Sequence, residues 1–84
     1  MTGASLTMYT TGWCGYCVRL KTTLKANGIA YEEINIEQDP AAAKFVSSVN
    51  GGNQTVPTVK LADGSTLTNP SASQIKDKLA ELAS

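Results

Sequence analysis

Leu6-Thr7-Met8-Tyr9-Thr10-Thr11-Gly12-Trp13-Cys14-Gly15-Tyr16-Cys17 is the stretch whose reading decides the fold. Its first five residues form a short apolar, β-prone run, and Thr11-Gly12 turns the chain into a helix-like segment that reaches Asn27. Both cysteines of the chain stand here, three positions apart. Residues at i and i+3 share a helix face at roughly 5–6 Å, within the span a disulfide tolerates. Cys14 precedes the helix, where unpaired N–H groups and the positive end of the dipole favour a thiolate. Cys17 lies a turn deeper and less exposed, so its thiol stays protonated. The pair reads as a nucleophile, Cys14, and an optional resolver, Cys17.

Working outward, the helix carries Cys17, Leu20 and Leu24 inward and Arg19, Lys21 and Lys25 toward solvent. Asn27-Gly28 stops it, with Gly28 in the left-handed C′ position. Tyr31–Ile36 reads as the second strand, with Ile34 and Ile36 on one face. Two strands joined by such a helix run parallel, with a right-handed crossover. Asp39 then caps a helix with Pro40 at its first position, and Ala42, Phe45, Val46 and Val49 form its apolar stripe. Thr58–Ala62 and Ser65–Thr68 flank Asp63-Gly64, the signal of a two-residue hairpin. The final helix opens at Asn69-Pro70-Ser71, either with Asn69 as cap and Pro70 at N1 or with Ser71 as cap and Gln74 at N3. Its buried stripe is Ile75, Leu79 and Leu82. The order β-α-β-α-β-β-α is that of an α/β fold, a four-stranded mixed sheet flanked by three helices. Residues 1–84 form a single domain in this reading.

Composition narrows the function. Seven basic and seven acidic side chains cancel, so neither nucleic acid nor an anionic membrane is indicated as partner. Met1-Thr2-Gly3-Ala4-Ser5 lacks the charge and apolar run of a signal peptide, and no segment approaches the roughly 18 apolar residues of a membrane span. The expected address is the cytoplasm, where a close cysteine pair is more often catalytic or metal-binding than a static staple. Zinc needs four ligands, and two cysteines with no histidine supply half of them, so no metal is expected. CxxC beside a βαβ pattern is instead the signature of a thioredoxin-like redox site.

Thr55-Val56-Pro57 precedes the third strand. Its proline is either a plain strand-start residue or part of a cis peptide that turns the Val56 backbone toward an extended substrate. Trp13 and Tyr16 flank the thiols; Trp13 either offers a substrate a flat apolar contact or packs against the fold. Arg19 and Lys21, within two turns of Cys14, either assist its electrostatics or, the commoner case, are ordinary solvated helix charges.

The strand, the CxxC helix, Thr55-Val56-Pro57 and the terminal hairpin and helix together resemble the glutaredoxin family over nearly the whole chain. The resemblance implies a thioredoxin fold, the cis proline, and reduction of thiol mixed disulfides at Cys14. Glutaredoxins commonly have proline where this chain has Gly15 and lysine where it has Thr11. They also open the last helix with a Gly-Gly-x-Asp type sequence, where this chain has Thr68-Asn69-Pro70-Ser71-Ala72. Trp13–Cys17 together with Asn69-Pro70-Ser71 is similar to the mycoredoxins of actinobacteria. That likeness implies mycothiol, an inositol–glucosamine-linked cysteine, as co-substrate and mycothiolated proteins as partners, with no bound cofactor and a monomer at work. It also implies reduction of arseno-mycothiol adducts. Trp13, Tyr16, Thr55, Val56, Pro57, Thr68, Asn69 and Ser71 are the expected substrate contacts. Two alternatives remain: a dithiol electron donor to ribonucleotide reductase, and an iron–sulfur carrier built from two chains.

Overall fold

A computed structural model describes residues 6–83; the reading of Met1–Ser5 lies outside them. The elements are β1 (Leu6–Thr10), α1 (Gly15–Ala26), β2 (Tyr31–Asn35), α2 (Pro40–Val49), β3 (Thr58–Leu61), β4 (Thr66–Thr68) and α3 (Ala72–Ala83). The sheet order is β2-β1-β3-β4. β1 pairs parallel with β2 and antiparallel with β3, which pairs antiparallel with β4. This is the expected mixed sheet with three helices. β1 lies inside it, so the motif at its C-terminal end sits over the middle of one sheet edge.

Local chemistry explains the ends of the elements. Ile29 N–H reaches Leu24 O at 3.0 Å and Gly28 N–H reaches Lys25 O at 3.1 Å. Gly28 has φ +68°, so α1 ends in a Schellman motif that needs a residue without Cβ. Asp39 Oδ1 accepts Ala42 N–H at 3.1 Å, and Pro40 follows as the first helical residue of α2. The start of α3 is settled in favour of Ser71. Its Oγ accepts Gln74 N–H at 3.1 Å while Gln74 Oε1 accepts Ser71 N–H at 2.8 Å, a reciprocal capping box.

The core has two parts. Met8, Leu24, Val59 and Ile75 centre one cluster, between the sheet, α1 and α3. Tyr9, Ile36, Ala42 and Val46 centre the other, under α2. Truncating Ile75 to alanine would cost about 2–5 kcal/mol through lost transfer energy and the cavity left behind.

Four expectations need correction. Val49 and Leu82 are exposed and belong to neither cluster. Each sits in the last turn of its helix, and a periodic pattern gives a side chain's azimuth without saying how far the partner surface extends. The second strand stops at Asn35, although Ile36 N–H still reaches Thr10 O at 2.9 Å. The last two strands are shorter than expected, ending at Leu61 and starting at Thr66. Their connection is not a two-residue loop. Gly64 N–H closes on Leu61 O at 2.9 Å, Leu61 N–H on Ser65 O at 2.8 Å, and only Gly64 there has positive φ, at +89°. That is a three-residue loop ending in a left-handed glycine. Asp63 Oδ1 favours it by accepting from both the Ser65 backbone at 3.0 Å and the Ser65 hydroxyl at 2.6 Å.

Candidate active site

Cys14 is the N-cap of α1, in an extended conformation (φ −84°, ψ 107°). Its Sγ accepts the Cys17 backbone N–H at 3.1 Å, as an N-cap oxygen would. Cys14 is 5% exposed and Cys17 1%. Both are free thiols. Cys17 is the deeper of the two, as expected, but Cys14 is also largely covered. Burial pushes the Cys17 thiol up to about 12, and its hydrogen bond to Cys14 adds to this. The Thr11 backbone N–H and the Lys21 charge pull more weakly the other way.

Val56 faces Cys14 from across the opening. Its carbonyl oxygen lies 3.9 Å from Cys14 Sγ, and the Val56–Pro57 peptide is cis. The loop carrying it is bolted from behind. Thr58 Oγ1 donates to Thr55 O at 2.7 Å, and Asn50 Nδ2 donates to Val46 O at 2.8 Å and to Thr58 Oγ1 at 3.2 Å. Thr68 Oγ1 donates to Asn50 Oδ1 at 2.5 Å, so this hydroxyl serves the bolt. Asn50 was not among the expected site residues, because its partners lie up to 18 positions away.

Asn69 follows with φ +48°, and its N–H donates to Pro57 O at 2.7 Å. That bond carries the chain from the cis proline to the start of α3. Between α1 and that start lies a cleft of about 240 Å³ lined by Tyr16, Arg19, Thr23, Asn69, Pro70 and Ser71, among others. Three expected contacts, Tyr16, Asn69 and Ser71, thus share one cleft. Arg19, exposed as expected, also lines this cleft.

Trp13 does not pack against the fold. It is 74% exposed, and Tyr16 is 65% exposed. Trp13 Nε1–H donates to Glu37 Oε2 at 3.0 Å, and Gly12 N–H donates to Glu37 Oε1 at 3.2 Å. Sequence reading missed Glu37. The available signal was its place just past the second strand, whose parallel pairing with the first brings their C-terminal ends together. Lys21, expected in solvent, is half-buried and pairs with Glu33 at 2.9 Å. Burial would raise the Glu33 carboxyl, but hydrogen bonds from Lys21 and Thr10 outweigh it and hold the group below its usual range.

A β-α-β-α-β-β-α chain with a CxxC helix cap facing a cis proline has relatives of known type. The glutaredoxin family model matches residues 6–65. The chain belongs to the glutaredoxin family. It is 69% identical over 83 residues to a protein of Mycobacterium tuberculosis named as a glutaredoxin, with 99% of each chain covered. It is 42% identical over 80 residues to mycoredoxin 1 of Corynebacterium glutamicum, covering 95% of this chain and 99% of that one. Among solved structures, the glutaredoxin of Archaeoglobus fulgidus matches with TM-score 0.71 and 26% identity, over 88% of this chain and 84% of that one. Methanoredoxin of Methanosarcina acetivorans matches with TM-score 0.74 and 25% identity, over 92% and 85%. As a glutaredoxin this chain is a thiol–disulfide oxidoreductase with a thioredoxin-like fold. Gly15, in the place of the family's frequent proline, is the first residue of α1, and a Cβ added there meets nothing within 4 Å.

Proposed function

We propose that this glutaredoxin reduces mixed disulfides between proteins and mycothiol, through Cys14 alone. The cleft between α1 and α3 is the observation that carries the reading. At about 240 Å³ it is below the ~300–1,000 Å³ of pockets that enclose a whole small ligand, so it suits one ring of a larger molecule. Its lining offers hydroxyls, an amide and the Arg19 guanidinium, with no carboxylate. Glutathione would bring an ammonium group with no counter-charge there, at a desolvation cost that a carboxylate on Arg19 only partly offsets. Mycothiol brings neutral hydroxyls, which those donors and acceptors can satisfy. The 42% identity to mycoredoxin 1 supports the same choice.

Cys14 thiolate attacks the mycothiol sulfur of the mixed disulfide, forming a Cys14–mycothiol disulfide and breaking the bond to the protein. The protein thiolate leaves and takes a proton from water. A second mycothiol thiolate attacks the bound mycothiol sulfur and releases Cys14 thiolate, giving mycothiol disulfide. The Cys17 N–H aimed at Cys14 Sγ meets the charge on that leaving sulfur. Val56 presents its backbone beside the sulfur, where an extended substrate segment can pair with it. Cys17, buried and raised to about 12, competes poorly as an internal nucleophile, which favours the monothiol route over a dithiol donor.

The same attack serves an arseno-mycothiol adduct. Cys14 takes the mycothiol sulfur, and arsenic leaves with the electron pair of the broken bond as arsenite. The deciding experiment reduces one protein mixed-disulfide substrate with mycothiol and, separately, its glutathione counterpart with glutathione. Mycothiol is expected to win by at least about tenfold in kcat/KM, a difference of ~1.4 kcal/mol. Equal turnover would overturn the assignment.

A further inference from the structure

Glu37 reaches from just beyond β2 to two points on the turn that carries Cys14. One carboxylate oxygen accepts Gly12 N–H at 3.2 Å and the other accepts Trp13 Nε1–H at 3.0 Å. Glu37 is itself held, because Asn35 Oδ1 accepts its backbone N–H at 2.8 Å. Ile36 N–H on Thr10 O at 2.9 Å continues the parallel ladder and registers this segment on the end of β1. The result is an indole pinned by its N–H yet 74% exposed. An exposed aromatic side chain left to itself would lie down on neighbouring apolar surface; here its one polar atom is tied off and its faces stay open.

We propose that Glu37 is a positioning residue that holds Trp13 as a fixed wall for the protein half of the mixed disulfide. The assignment to that half rests on the proposed placement of the small thiol. Sheet order β2-β1-β3-β4 puts the segment after β2 and the segment after β4 at opposite edges, with the end of β1 between them. The cleft that suits the small thiol is on the β4 side. The two substituents of a disulfide leave it at a dihedral near 90°, so a thiol seated in the cleft directs its partner away from it. Trp13 and Glu37 are what the partner then meets. A pinned ring binds without losing the rotamer freedom that a loose one would forfeit.

Trp13 is the only tryptophan, so its fluorescence reads the clamp directly. Glu37→Ala should lower its steady-state anisotropy and raise KM for a protein mixed disulfide about fivefold, the scale of one ordinary solvent-exposed hydrogen bond. KM for the mixed disulfide of mycothiol with 2-mercaptoethanol should rise much less, and kcat should fall less than KM rises. Glu37→Gln, which keeps one acceptor for Trp13 but sets its amide NH2 against Gly12 N–H, should recover part of the loss. In a Trp13→Ala background, Glu37→Ala should add little, since it acts through the ring. Equal KM rises for both substrates, or additive losses in the double variant, would overturn the proposal. Running the protein substrate in mycothiolated and glutathionylated forms separates the two readings. Equal wild-type turnover of both refutes the mycothiol assignment, while the Glu37→Ala effect on either form still tests the clamp.

Discussion

On the β2 side of Cys14 the wall is made by side chains: Glu37 crosses to Gly12 and Trp13, and the indole stands in solvent. On the β4 side the frame of the wall is made by backbone. Asn69 at φ +48° gives its N–H to Pro57 O, and Ser71 and Gln74 cap α3 on each other. The first wall can change by one substitution while the sheet and helices stay as they are. The backbone of the second cannot, because the groups that shape it also start a helix and anchor the loop beside Cys14; only the side chains that α1 adds to that cleft, Tyr16 and Arg19 among them, can be exchanged freely. With the small thiol and the protein half seated as proposed, selectivity for the thiol would be tied to stability and recognition of the protein half left free to vary.

The comparison presupposes that both walls serve one sulfur. Cys14→Ser should reduce turnover of a mycothiol mixed disulfide by at least about 10³-fold, while Cys17→Ser keeps most of it. Comparable losses in the two variants, in steady-state assays with mycothiol, would make this a dithiol enzyme instead. Next in size is the pH response of Cys17. Below a pKa of about 12 its thiolate fraction grows about tenfold per pH unit. Release of mycothiol from the Cys14 adduct without added thiol should therefore speed up steeply from neutral to alkaline pH, and only when Cys17 is present. The linkage has the matching sign: the raised folded-state pKa supplies stability below the ordinary thiol value of 9.0 that is lost as pH rises toward 12.

The backbone wall makes smaller, structural predictions. Asn69→Val puts a β-branched residue at positive φ and should cost about 1–2 kcal/mol in urea unfolding, while raising KM for mycothiol. Asn69→Gly should be close to neutral in stability. If valine is tolerated without loss, the β4-side wall is not held by its backbone. Ser71→Ala removes one half of the capping box and should cost about 1 kcal/mol, together with a modest KM increase for mycothiol. A KM change with no stability change would mean that Ser71 contacts the ligand more than it shapes the wall.

Much of this molecule is legible because its signals are local. Asp39-Pro40 and Asn27-Gly28 each satisfy a helix end within a few residues and appear as written, and Ser71-x-x-Gln74 is the one of two candidate caps that the structure selects. The CxxC spacing places Cys14 at a helix cap and Cys17 one turn inside with no help from the rest of the chain. The hairpin failed for a comparable reason: Asp-Gly suits a two-residue loop, but Ser65 supplies two hydrogen bonds to Asp63 that favour three. Val49 and Leu82 failed because burial depends on a partner surface that the helix's own sequence does not describe.

By itself, then, the sequence determined the order of elements, the caps of the first two helices and the sulfur pair, which rest on contacts between near neighbours, and the family, which rests on motifs spread along the chain. Tertiary structure alone decided what surrounds the sulfur. Glu37 meets Trp13 from 24 positions away, Asn50 bolts Thr58 and Thr68, and Arg19 turns into a cleft closed by Asn69 and Ser71. Such contacts depend on which strand ends the sheet brings together, and on side-chain reach across that gap. No periodicity or short motif encodes either.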